Sequence, residues 1–147
     1  MKNPLKSETA FNLGLLLARL PIGILFVVAG VMKLRGGVEG FVRSQIGNVP
    51  HQVPAAWGDG YLHALPYVEV VIGAMLILGL FGRVAGFVGA VVVTSIIIGS
   101  TGVFMPGTYM FHSNVIYACL LVAVLLLGPG RMSLDGLMFG RGKAAQH

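Results

Sequence analysis

The sequence predicts an all-α membrane protein: a four-transmembrane-helix antiparallel bundle with a short interfacial amphipathic helix in its first external loop. Three observations carry this. Charged residues make up only 10% of the chain and hydrophobic residues 56%, whereas soluble domains carry about 25% charged residues, so the chain cannot cover a water-facing surface. Four stretches each offer the roughly 20 mostly apolar residues that a spanning helix needs. Two of the connections between them are tight Gly- or Pro-containing turns, which join antiparallel neighbours. The 147 residues suit one such bundle rather than two domains. Mean hydropathy is +0.86. Together these exclude a soluble enzyme domain, a disordered tail and a nucleic-acid-binding module. The net charge of +5 then reads as basic flanks on membrane helices. A single cysteine, Cys119, excludes an intramolecular disulfide, a CxxC centre and a four-thiolate metal site; its place in an apolar span reads as packing.

Residues 1–12 form an N-terminal segment ahead of the membrane domain, 13–138. The first span, 13–32, is apolar except for Arg19. It is too long for a signal sequence, and no small-residue cleavage site follows it. The second, 62–81, is interrupted by His63 and Glu69. The third, 84–104, has no charge and follows a Gly82-Arg83 turn; the fourth, 110–128, follows Pro106-Gly107 and opens with His112 and Asn114. Residues 139–147 form a tail. Six basic residues (Lys2, Lys6, Arg83, Arg131, Arg141, Lys143) fall on one side and three (Lys33, Arg35, Arg43) on the other. By the positive-inside rule both termini are cytoplasmic, in a plasma (inner) membrane. The only long connection, 35–61, is external. Within it Val38, Phe41, Val42 and Ile46 recur at helical spacing, which predicts an amphipathic interfacial helix over 38–47. Trp57 and Tyr61 read as interfacial aromatics. Loops of this length are often lids or binding loops, although a solvated cap fits as well.

Polar residues within apolar spans mark candidate sites. Arg19, Gly23, Phe26, Gly30 and Lys33 form one stripe on the first helix. Glu69, Gly73, Leu76 and Leu80 share a face of the second, and Asn114, Tyr117 and Leu121 a face of the fourth. On the third, Gly82, Ala85, Gly86 and Gly89, and later Thr94, Ser95, Gly99, Ser100 and Thr101, are small residues that allow close helix approach. Counting 1.5 Å per residue from the inner face puts Arg19 and Glu69 about 9 Å apart along the membrane normal, and Lys33 and Glu69 about 12 Å. Both pairs need extended side chains, and the tilt of Cβ bonds toward each helix's N-terminus spreads Arg19 and Glu69 further apart. A direct Arg19–Glu69 ion pair fits, and a water or polar ligand group between them fits equally, on one polar network with Asn114 or Lys33 near its outer end. Lys33, near the outer edge, also suits simple snorkelling. Pro21 and Pro66 free the carbonyls of Leu17 and Leu62, as happens beside cavities and helix neighbours. His63 and His112 lie near outer helix ends, but nothing in their spacing requires a haem, and they read as interfacial or loop histidines. No metal-ligand cluster or flavin motif is present.

Read together, these features resemble the DoxX family of small four-helix membrane proteins. The first span carries Arg19-Leu-Pro-Ile-Gly23, Phe26, Gly30 and Lys33-Leu34; the second carries Glu69-Val-Val-Ile-Gly73, Leu76, Gly79-Leu80 and Arg83. After the fourth comes Gly128-Pro129-Gly130-Arg131-Met-Ser133-Leu134-Asp135, close to the family's Gly-Pro-Gly-Arg-x-Ser-Leu-Asp ending. The longer first loop, with His51 and Trp57, is not part of that pattern. The resemblance implies redox work beside the quinone pool, often within a complex. A quinone is then the expected cofactor, and a membrane component of a quinone-linked oxidoreductase system the expected function, with a partner subunit carrying the redox cofactor. In that reading Glu69 and Arg19 are the catalytic candidates, and Arg19, Lys33, Glu69, Asn114 and Tyr117 line the ligand site. The alternatives are a small-solute or lipid binding or transport protein, which at four short helices requires a homodimer, and a non-catalytic assembly or anchoring subunit. The expected partners are the bilayer and a redox subunit, not nucleic acid.

Overall fold

The computed structural model describes residues 4–49, 53–101, 113–128, 130 and 133–135. These form five α-helices and a short 3-10 turn: α1 (Pro4–Gly36), α2 (Val38–Gln45), the turn Ile46–Asn48, α3 (Ala55–Leu78), α4 (Gly82–Thr101) and α5 (Ser113–Leu127). No strand occurs among the described residues. His51, His112, the Pro106-Gly107 turn, Arg131 and the tail 139–147 lie outside them.

Both long helices overrun the hydropathy limits. α1 begins at Pro4, a favoured residue for a first helical turn, and continues to Gly36. Within it Glu8–Gly36 is long and apolar enough to cross a membrane, as is Ala55–Leu78 of α3. Gly82–Ile98 and Asn114–Leu127 are shorter apolar helices. The expected amphipathic segment is α2 and the 3-10 turn, with Val42 buried. The expected Gly82-Arg83 turn falls one step earlier in the chain. α3 closes at Gly79, which adopts the left-handed conformation at φ 67°, and Leu80 N–H donates to Met75 O at 3.0 Å. Gly82 and Arg83 already belong to the first turn of α4.

The helices pack as two antiparallel pairs, α1 with α3 and α4 with α5, and α3 and α4 touch each other less. Small residues set both pairs. A Cβ on Gly73 would stand 2.6 Å from Gly23 O, and one on Gly30 would stand 2.6 Å from Pro66 O. The two helices therefore meet backbone to backbone, the mode that drives helix association where burial from lipid gains nothing. In the other pair, a Cβ on Gly86 would lie 2.9 Å from Leu121 O. Ile22, Phe26, Leu65, Ile72, Leu76, Val92, Leu121 and Val124 form the common core. The stripe read on the first helix is its inward face: Arg19, Gly23, Phe26 and Gly30 are buried and Lys33 half-buried. Cys119 is a correction. It is a free thiol on the exposed face of α5, because it lies two residues, or about 200°, from the buried Leu121.

Candidate functional site

Of the five residues singled out as a site, the structure joins two directly. Lys33 Nζ donates to both oxygens of the Glu69 carboxylate, at 2.5 and 2.6 Å. The rise arithmetic left these two residues about 12 Å apart. The lean of the two side chains closes the gap. Cβ bonds tilt toward each helix's N-terminus. α1 and α3 run in opposite directions, so Lys33 leans inward and Glu69 leans outward, toward each other. The same tilt separates Arg19 from Glu69. The direct Arg19–Glu69 pair is therefore replaced by Lys33–Glu69, and Lys33 does more than snorkel. Glu69's side chain is 3% exposed and Lys33's 23%, so the carboxylate is shut in and the ammonium faces an opening.

Arg19 belongs to a second cluster at the other end of the bundle. Arg19 and Glu69 are both 2% exposed and face the interior, as their stripe requires. Yet the Arg19 guanidinium packs against Gly79 and Ser133, and Gly79 lies ten residues, about 15 Å, further down α3 than Glu69. Asp135 is within its electrostatic reach. There Phe81 N–H and Gly82 N–H donate to the two Asp135 oxygens, each at 3.0 Å, and Asp135 N–H donates to Gly79 O at 3.2 Å. Ser133 Oγ donates to Gly130 O at 2.5 Å. Ser133 and Asp135, at the end of the Gly-Pro-Gly-Arg-x-Ser-Leu-Asp motif, thus form a clamp. Its aspartate caps the start of α4, where orphan N–H groups and the helix dipole favour an anion. It also holds Phe81 at φ 47°, a region bulky residues rarely adopt. Ser133 and Asp135 were read only as part of a motif; their capping role needs the fold, since Asp135 lies 53 residues from Gly82. Asn114 and Tyr117 are half-buried on α5. Tyr117 packs against the core, and neither residue lines the cavity described next.

Above the Lys33–Glu69 pair, α2, the 3-10 turn and the ends of α3 and α4 enclose a cavity of about 550 Å³. Its walls are mostly apolar, and Lys33 is the one charged residue among the described residues that line it. The Lys33 ammonium also sits 5.1 Å from the centre of the Phe41 ring, a favourable cation–π position. Gln45, Asn48, Tyr61 and Ser95 add polarity. Ser95 Oγ donates to Val92 O at 2.7 Å. Having spent its proton, it accepts from the Tyr61 hydroxyl, which leaves the Tyr61 oxygen as an acceptor. Tyr61 and Ser95 are therefore site residues that sequence reasoning placed elsewhere: Tyr61 read as an interfacial anchor and Ser95 as a small packing residue. Leu62, which loses its i+4 donor to Pro66, lines the cavity too. Trp57 lines it while remaining 77% exposed.

The described part of the long first loop, α2 and the 3-10 turn, packs against the start of α3. His63 ties it down: Nε2 lies 3.2 Å from Glu39 Oε1 on α2, and Nδ1 lies 2.9 Å from Asp59 O. Both ring nitrogens are engaged in this tie. Val49 packs over Gly58, where an added Cβ would come within 2.8 Å of it. No group of three or more His, Cys, Asp or Glu placed to hold a metal occurs among the described residues.

Comparison with known families matches residues 14–105 to DoxX. The chain belongs to the DoxX family. With two helices among the described residues long and apolar enough to span, it is a small membrane protein. No curated protein and no solved structure matches it.

Proposed function

We propose that this DoxX protein crosses the inner membrane four times with both termini cytoplasmic, and serves as the membrane component of a quinone-linked oxidoreductase system whose partner subunit carries the redox cofactor. α2 lies on the outer interface and roofs the quinone site. The observation that carries this reading is the cavity itself: an apolar-walled space of about 550 Å³ in which Lys33, the one charged group among the described residues that line it, is held by a buried carboxylate. Ligand pockets commonly run from about 300 to 1,000 Å³, with a few placed polar groups.

The residues present fit a quinone head. An ammonium has three protons, and Lys33 commits two of them to Glu69, so one remains for a carbonyl oxygen. The Gln45 and Asn48 amides offer further donors, and Phe41 and Trp57 offer aromatic surface for a ring. A bound quinone would supply two-electron, two-proton chemistry. Glu69 does not line the cavity; it acts through Lys33, holding the ammonium charged and aimed, with a proton acceptor 2.5 Å from Nζ. Arg19, one of the two catalytic candidates, has no part in this site.

Trp57 is the only tryptophan of the chain, so ligand entry has its own reporter. In nanodiscs, a tail-free benzoquinone should quench Trp57 fluorescence saturably. The saturable component should vanish in Lys33→Met and persist in Tyr117→Phe. Linear, non-saturating quenching that is the same in wild type and Lys33→Met would refute the site. Co-purification of a subunit with a redox-active chromophore from native membranes tests the partner.

A further inference from the structure

The cavity holds a second fixed polar group besides Lys33, and the two make opposite demands on a ligand. Tyr61, Leu65 and Glu69 are spaced four residues apart and share one face of α3. Tyr61 therefore stands about 12 Å along α3 from Glu69, toward the helix start, within electrostatic reach of its carboxylate. Tyr61, Leu65 and Lys33 all line the cavity. Lys33 has protons and no lone pair, so either a carbonyl or a hydroxyl oxygen can accept from it. At Tyr61 the roles are set by its neighbours. Ser95 Oγ donates to Val92 O at 2.7 Å, so it meets Tyr61 with lone pairs only. The Tyr61 hydroxyl donates to Ser95, and its oxygen keeps lone pairs alone for a ligand. Gln45 and Asn48 are bonded to each other, Asn48 Nδ2 donating to Gln45 Oε1 at 3.1 Å. Amides offer donors and acceptors alike, so these two do not discriminate. A carbonyl placed at Tyr61 would set oxygen against oxygen; a hydroxyl placed there would donate.

We infer that Tyr61, oriented by Ser95, is the specificity-determining residue of the cavity and selects a ring that carries a hydroxyl, so that the site holds the reduced, hydroquinone form more tightly than the quinone. The inference rests on the quinone reading of the cavity and adds the redox form that the site prefers. Ser95 is a positioning residue and acts through Tyr61. One hydrogen bond made with one form and left unmade with the other is worth about tenfold in affinity. For a two-electron couple, tenfold tighter binding of the reduced form raises the potential of the bound quinone by about 30 mV, which favours electron flow into it.

The probes are tetramethylbenzoquinone, whose ring has no open carbon for a thiol to add to, its hydroquinone, and the dimethyl ether of that hydroquinone, which keeps both oxygens without an O–H. Each is measured without oxygen on the full chain in nanodiscs, with concentrations counted per lipid so that partitioning cancels. The quinone is read by saturable quenching of Trp57, the other two by displacing it. In the wild type the hydroquinone should bind about tenfold more tightly than the quinone, and the ether no more tightly than the quinone. In Tyr61→Phe the hydroquinone and the quinone should bind within about twofold of each other, the low end for one net hydrogen bond. In Ser95→Ala the Tyr61 proton is released for the ligand, so the quinone should tighten and the advantage of the hydroquinone should close. Each result is a ratio of two affinities in one protein, so partial unfolding of a variant does not change it, and the ether arm needs only the wild type. Equal affinities of quinone and hydroquinone in the wild type would overturn the inference. So would an ether that binds as tightly as the hydroquinone, or the wild-type ratio kept in either variant. In each of these cases saturable quenching by the quinone leaves the head site standing. Absence of saturable quenching in the wild type would remove the head site and this inference together.

Discussion

Lys33 and Glu69 form an unequal pair, and their inequality can be measured. Glu69 is shut in, while Lys33 faces a cavity that water can enter. Lys33→Met strands a buried carboxylate, and breaking a buried pair this way costs about 3–5 kcal/mol. Glu69→Gln strands an ammonium that the cavity can hydrate, so the loss should be nearer the about 1–3 kcal/mol of an unmet hydrogen bond. Thermal unfolding in detergent should rank Lys33→Met below Glu69→Gln, with Lys33→Met/Glu69→Gln recovering part of the difference. The reverse ranking would place Glu69, not Lys33, at the opening. At the other end, Asp135→Ala removes the acceptor of the Phe81 and Gly82 N–H groups at the start of α4 and a carboxylate within electrostatic reach of Arg19. A lost cap of this kind costs about 0.5–2 kcal/mol, read as a fall in melting temperature with Trp57 quenching retained. Both clusters were legible as buried charges on one stripe. Their partners were legible only in part: the side-chain lean was applied to Arg19 and Glu69 but not to Lys33 and Glu69, and Asp135 meets the start of α4 only in the folded chain.

At the scale of elements, the α1–α3 contact is the least forgiving part of the bundle. Gly73→Val should force the backbones apart at Gly23, where the added Cβ alone would stand 2.6 Å from a carbonyl oxygen. Overpacking of a close interface costs about 1–3 kcal/mol or more. Gly14→Ala on α1, the partner helix, has open space around it and should be neutral or gain about 0.5–1 kcal/mol from helix propensity. Melting temperatures of the two variants check the contrast; equal effects would mean that the pair is not set by its glycines. The existence of these helices was legible from apolar length, and α2 from its spacing within 38–47. The ends were not. Hydropathy marks where a helix is apolar, whereas α3 starts seven residues before the second span at 62, directly after Pro54. Its Gly58-Asp59-Gly60 reads as a loop yet stays helical, with Asp59 tied to His63 one turn on and Val49 packed over Gly58.

For the whole molecule, everything argued about the cavity depends on which side of the membrane it faces. The clamp of Arg19, Gly79 and Asp135 gathers the start of α4 and the residues after α5 at one end, while α2 and the cavity occupy the other. By sequence position, six basic residues fall on the side of the termini and three on the side of the first loop, so the positive-inside rule predicts a cytoplasmic clamp end, as proposed. That asymmetry was legible in the sequence; the gathering of the cavity-lining residues at the opposite end required the tertiary pairing of α3 with α4. Three thiols test the orientation together. Gly40→Cys sits on exposed α2, with open space around its Cβ. Ser7→Cys lies near the N-terminus. The native Cys119 lies on the outward face of α5, well inside its apolar run, where a charged reagent does not partition. A membrane-impermeant maleimide should label the Gly40→Cys thiol in intact cells, label the Ser7→Cys thiol only after permeabilisation, and leave Cys119 unlabelled in both. Labelling of the Ser7→Cys thiol in intact cells would invert the chain and move the cavity to the cytoplasmic side. Labelling of Cys119 would place α5 in contact with water and remove it from the set of spanning helices.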